Sequence, residues 1–155
     1  MTSASTTADR EIVTTRLIDA PRELVFEAWT DATHVAHWFG PDGFVTTTHT
    51  MEVRPGGVWR FTLRGPDGKE WPNVVTYQEV VPPERLVYLH GDEKERDMFR
   101  TTVTFDDRAG KTALTMRAVF KTAAAKEYVA RENGAVEGAQ QTVSRLERYV
   151  RTMSR

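Results

Sequence analysis

The sequence predicts an α+β domain: a strongly curved antiparallel sheet of six or seven strands wrapped round one long C-terminal helix. Three observations predict it. Residues 44–120 alternate apolar and polar positions with a period of two, interrupted by short Gly/Pro turns. Val129, Val136, Val143 and Val150 recur every seven residues, with Ala125, Ala139, Leu146 and Met153 as a second line, which gives one apolar helical stripe. Residues 22–39 carry helical spacing between the first strand and the rest.

The elements follow in order. MTSASTTADR (1–10) is Ser/Thr/Ala-rich and is expected to be a disordered tail before a single domain over 11–153. EIVTTRLID (11–19) is rich in β-branched residues and stops at Ala20-Pro21, which predicts a strand. One parity of this strand turns Ile12, Thr14, Arg16 and Ile18 inward, the other Val13, Thr15 and Leu17. The second avoids placing a guanidinium inside and is preferred. Pro21 can open a helix, and RELVFEAWTD places Leu24, Val25, Ala28 and Trp29 on one face. ATHVAHWF reads as a second short helix that ends at Gly40-Pro41.

The sheet strands come next. FVTTTHTMEV leads through the turn RPGG (54–57) into VWRFTLR, where Trp59, Phe61 and Leu63 oppose Arg60, Thr62 and Arg64. After GPDG (65–68), NVVTYQEVV runs to Pro82-Pro83 and RLVYLH follows. GDEKERD (91–97) is a charged loop, and FRTTVTFDD and KTALTMRAVF form the last hairpin. In the helical third, Asn133-Gly134 predicts a short helix, a break, and a long helix from near Ala135.

Bulk properties exclude several classes. A formal net charge of −1 argues against nucleic acid as the partner. The chain has no cysteine, so disulfides, thiolate metal sites and thiol nucleophiles are out, and a reducing cytoplasmic location is expected. No apolar run approaches the ~20 residues of a membrane span.

One helix, ~10 Å across, cannot fill the concave side of a curled sheet of this width. Aromatic side chains must fill the remainder, or it becomes a pocket. Four stretches also resemble a known family: DAPRELVFEAWTDATHVAHWFGP, EVRPGGVWRFTLRGPDG, VVPPERLVYLH and GAVEGAQQTVSRLERYV. They resemble the START-like, helix-grip (SRPBCC) superfamily, and within it the bacterial homologues of the activator of the heat-shock-protein-90 ATPase. The resemblance implies a helix-grip fold with a cavity between sheet and last helix. Superfamily members use it for lipids, polyketides, hormones and other apolar molecules. Ala139 stands where relatives often carry tryptophan, so the resemblance implies a roomier pocket there.

Candidate site residues follow from this geometry. Trp38, Trp59, Phe61, Tyr77 and Met116 are the expected pocket wall, and Tyr77 and Trp59 bring polar tips. Gln140 and His90 are candidate polar anchors for a ligand. His34 and His37, at i and i+3, could share a metal but lack further ligands beyond Asp31 or Asp42, so no metal site is expected. Without cysteine, GxSxG or a Ser-His-Asp order, covalent catalysis is not expected, and no cofactor is implied.

The expected function is binding of a small apolar or aromatic ligand in that cavity, as a carrier, sensor or scavenger. One alternative is a cyclase/aromatase-type enzyme using Glu132, His49, His90 or Tyr77 as acid or base. Another is a chaperone ATPase cofactor acting through the outer surface. A homodimer through a sheet edge or the short helices stays open.

Overall fold

The structure is a computed structural model that describes residues 8–132 and 134–153, with Glu132 described by its backbone alone. The expected tail up to residue 7 therefore lies outside the described residues. Ala8–Arg10, expected within that tail, form a 3-10 turn, and Arg10 Nη1 donates to the Phe120 carbonyl at 2.6 Å.

Seven strands form one antiparallel sheet: β1 (Glu11–Ile18), β2 (Val45–Met51), β3 (Val58–Arg64), β4 (Glu70–Val81), β5 (Arg85–Gly91), β6 (Phe99–Arg108) and β7 (Lys111–Phe120). Their spatial order is β1-β7-β6-β5-β4-β3-β2. After β1, α1 (Arg22–Thr30) and α2 (Ala32–Val35) carry the chain to the far edge. Six strands then return as a meander, and β7 closes beside β1. α3 (Ala123–Glu132) and α4 (Ala135–Met153) complete the α+β, helix-grip architecture. The break between them falls where Asn133-Gly134 predicts it, and Gly134 adopts φ 62°.

Three local expectations change. β1 takes the parity opposite to the preferred one: Ile12, Thr14 and Ile18 are buried, while Val13 and Leu17 are 45% and 56% exposed. Arg16 is tolerated on the inner side because Glu147 of α4 meets it, with Nε to Oε1 at 2.9 Å. α2 is a single turn and not an eight-residue helix. Asp31 caps its start by accepting from Thr33 N, and beyond Val35 the backbone continues as a turn to Gly40. Gly40 reverses the chain at φ 107°, a conformation that suits glycine. β4 begins at Glu70, three residues before the expected Asn73, because β3 extends to Arg64 and offers it a partner.

The core is concentrated at one end. Trp29, Trp38, Phe39, Trp59, Phe61 and Phe105 are buried there in edge-to-face and stacked pairs. Each such pair adds ~0.5–1.5 kcal/mol beyond area burial. α4 supplies Val143, Leu146 and Val150, all at most 1% exposed. Val136 of the same stripe is 42% exposed, since the first turn of α4 lies over the open end of the sheet.

Candidate functional site

At that open end the helices present small residues to the sheet. Ala125, Gly134, Ala135, Gly138 and Ala139 face it beside Tyr128 and Val129, where the other half of α4 presents valine and leucine. The sheet therefore cannot be filled from the helix side, and a cavity of about 690 Å³ remains. This lies within the ~300–1,000 Å³ of ligand clefts. Its floor is Ile12, Thr14, Tyr88, Thr101, Met116 and Ala118; its far wall is His90, Phe99 and Phe120. The mouth carries Trp71, Met98 and Tyr128, all substantially exposed apolar side chains.

Two clamps hold α4 over this space. Arg145 Nη1 donates to the carbonyls of Gly40 and Pro41, at 2.8 Å each. The Asp42 amide donates to Gln141 Oε1 at 3.1 Å. A Cβ on Gly138 would come within 3.3 Å of Pro41, so glycine permits this close approach. At the opposite rim, Lys121 donates to Glu95 and Asp97 at 3.0 and 3.1 Å, linking the end of β7 to the β5–β6 loop.

His90 supplies the imidazole of the cavity wall. Its register partners are Val75 on β4 and Phe99 on β6. The rings of Phe61, Tyr88 and Phe99 surround it at centroid distances of 5.9, 6.2 and 4.8 Å. Its Nε2 bonds Asn73 Oδ1 at 2.8 Å. Burial lowers its pKa from 6.5 to about 4, because an imidazolium there would lose its hydration. The ring is thus neutral near pH 7.

The structure distributes the predicted site residues unevenly. His90 and Met116 lie on the cavity wall. Trp38, Trp59 and Phe61 are sealed in the core, at most 1% exposed. Trp38 Nε1 donates to the Ala28 carbonyl at 3.0 Å, and Trp59 Nε1 donates to Thr48 Oγ1 at 3.1 Å. Tyr77 is also buried, and its hydroxyl has no partner among the described residues. Burial, then the neighbouring Tyr88, pushes this phenol far above its ordinary pKa. Gln140 is exposed on α4. These aromatics face inward as expected but pack at the filled end. The small residues at the start of α4 mark the open end, and the contact of Asn73 with His90 is set by how β4 pairs with β5, which neither strand's own sequence fixes.

Of the acid-base candidates, His49 sits on the outer face and bonds Thr62 Oγ1 at 2.9 Å. The side chain of Glu132 lies outside the described residues. His34 and His37 converge on Tyr149. His34 Nδ1 and the Tyr149 hydroxyl share a 2.7 Å hydrogen bond, and His37 stacks on the phenol ring at 5.3 Å. His34 Nε2 lies 3.4 Å from Glu27. Among the described residues no three His, Asp or Glu side chains gather in metal-binding geometry, and no helix is long and apolar enough to cross a membrane.

A curled antiparallel sheet gripping a C-terminal helix over an apolar cavity defines a helix-grip domain. The profile of the family described as activator of Hsp90 ATPase homolog 1-like protein matches residues 19–151, and the chain belongs to that family. Solved structures agree on the fold. A Mycobacterium smegmatis protein superposes with a TM-score of 0.85 at 22% identity, over 96% of this chain and 95% of that one. A Nitrosomonas europaea protein gives 0.83 at 22%, over 94% and 97%. The AHSA1-like protein of Aeromonas hydrophila gives 0.73 at 21%, over 92% and 93%. No curated relative matches the chain at a significant level.

Proposed function

We propose that this protein binds a small apolar or aromatic molecule in the space between its sheet and α3–α4, as a carrier, sensor or scavenger. The observation behind this reading is a cavity of about 690 Å³ with a largely apolar wall and an apolar mouth. Leaving such surface in water is unfavourable, and a ligand that covers it gains ~25 cal/mol per Å² of apolar area. The test is native mass spectrometry of gently purified protein, followed by thermal melts with a panel of apolar compounds. A bound small molecule is expected in the first. Ligands at a hundred times Kd are expected to add ~2.7 kcal/mol in the second. If no mass shift is seen and no compound moves the melting temperature, the reading fails.

The family name favours a second reading, stimulation of a chaperone ATPase through the outer surface. Steady-state ATPase assays with the cognate chaperone separate the two, because cavity-filling substitutions leave an outer-surface activity intact.

A further inference from the structure

We propose that His90 Nδ1 accepts a hydrogen bond from a single O–H or N–H group on the ligand, so that the cavity selects uncharged, planar aromatic molecules carrying one donor, such as phenols. This rests on the cavity reading above and assigns it a ligand class.

The Asn73 amide fixes the chemistry. Its Nδ2 donates to the Trp71 carbonyl at 2.9 Å, which leaves Oδ1 facing His90 Nε2 at 2.8 Å. An amide oxygen can only accept, so Nε2 carries the ring proton and Nδ1 keeps a lone pair. Among the described residues Nδ1 has no hydrogen-bond partner, and the ring forms part of the cavity wall. It is an acceptor set in an otherwise aromatic surface, between Phe99 and Tyr88 and backed by Phe61. An apolar ligand that covers Nδ1 without offering a donor leaves it desolvated, which is costly. A ligand with a hydroxyl in that place does not.

Charge selects further. Burial keeps the imidazole neutral near pH 7, so it offers a carboxylate a lone pair and no cation. Asp92 and Glu95 also line the cavity. Lys121, the lysine on the wall, is already engaged by Glu95 and Asp97. The flat rings of Phe99 and Phe120, 4.8 Å apart and tilted by 31°, suit a planar guest.

The test titrates the full chain at pH 7.5 with four matched probes: 2-naphthol, 2-methoxynaphthalene, naphthalene and 2-naphthoate. Calorimetry or fluorescence reads Kd for the wild type and for His90→Phe. In the wild type, 2-naphthol is expected to bind about tenfold or more tighter than its methyl ether, with 2-naphthoate weakest. In His90→Phe the naphthol and ether should converge to within about twofold. A wild-type tie, or a preference that survives in His90→Phe, overturns the inference. If naphthalene and the ether bind but naphthol is not favoured, this inference falls and the cavity reading stands. If none of the four binds, this inference falls, and the cavity reading falls with it only when the native mass spectra and the wider compound panel are also blank. A variant-free check uses ring ¹⁵N shifts of wild-type His90: Nδ1 should move upfield with 2-naphthol and stay in place with the ether. Equal responses would overturn the assignment even if His90→Phe does not fold.

Discussion

Arg16 on β1 and Glu147 on α4 are joined by a 2.9 Å contact between Nε and Oε1. Glu147 keeps only 16% side-chain exposure and also lies 3.6 Å from Arg151. The pair ties the first strand to the last helix on the inner side of the sheet. Removing the carboxylate leaves a half-buried guanidinium facing a helix. Glu147→Ala is therefore expected to cost about 1–3 kcal/mol, between the values for exposed and buried pairs. Urea denaturation measures it. In a double-mutant cycle with Arg16→Met, a coupling of zero would show that the pair adds nothing.

The same pair shows where sequence reasoning stops. The period-two alternation of Trp59 with Phe61, and of Val103 with Phe105, is set within each strand, so the sheet could be read directly. The helix break at Gly134 is likewise a local backbone property. The inward turn of Arg16 depends on a partner 131 residues away. No local rule could choose its parity against the apparent cost of a buried charge. The site was legible in the same uneven way. Trp38, Trp59, Phe61 and Tyr77 are large and inward-facing, but their own types do not say which end of the sheet is filled. That is decided by what α4 places opposite, which is Ala135, Gly138 and Ala139 at one end and Val143, Leu146 and Val150 at the other.

His90 gives stability a defined pH dependence. Its folded pKa is about 4 and its unfolded reference value 6.5, so between these values the unfolded chain binds more protons. Stability from this group is complete above pH 6.5 and is lost as pH falls toward 4. The full difference is of order 3 kcal/mol. Carboxylates titrate in part of this window, so the informative quantity is the wild-type slope minus that of His90→Phe. Urea midpoints between pH 4 and 7 measure it, and parallel slopes would mean that His90 titrates normally.

One apolar stripe on α4 should behave as two. Leu146 is fully buried against the aromatic core, so Leu146→Ala is expected to cost about 2–5 kcal/mol. Val136 is seven residues, and so nearly one helical phase, from the fully buried Val143 but is 42% exposed, and Val136→Ala should stay within about 0.5 kcal/mol. Equal losses by denaturant unfolding would contradict the placement of the cavity under the first turns of α4.

Tyr149 fastens the end of α4 to the α2 turn. Its hydroxyl shares a 2.7 Å hydrogen bond with His34 Nδ1, and its ring stacks on His37. Tyr149→Phe keeps the stack and removes the bond, with an expected cost of about 1 kcal/mol. His34→Ala in the Tyr149→Phe background should then cost less than in the wild type. Additive losses in chemical denaturation would show that the bond does not form in solution.

Ala139 separates filling of the cavity from damage to the fold. It lines the cavity from the second turn of α4, opposite the sheet floor of Thr101, Met116 and Ala118. Adding bulk to a packed core normally costs 1–3 kcal/mol, because neighbours must shift. Here the new side chain would enter space that is not occupied by protein atoms. Ala139→Trp should therefore change stability by less than about 1 kcal/mol, and could raise it, since indole burial is favourable. It should also weaken 2-naphthol binding by about tenfold or more, as guest and indole compete for one volume. Thermal melts and the same calorimetric titration supply both readouts on a single variant. Intact affinity in a stable Ala139→Trp protein would place the ligand elsewhere on the molecule. A large loss of stability would mean that this end of the sheet is already filled by the protein itself.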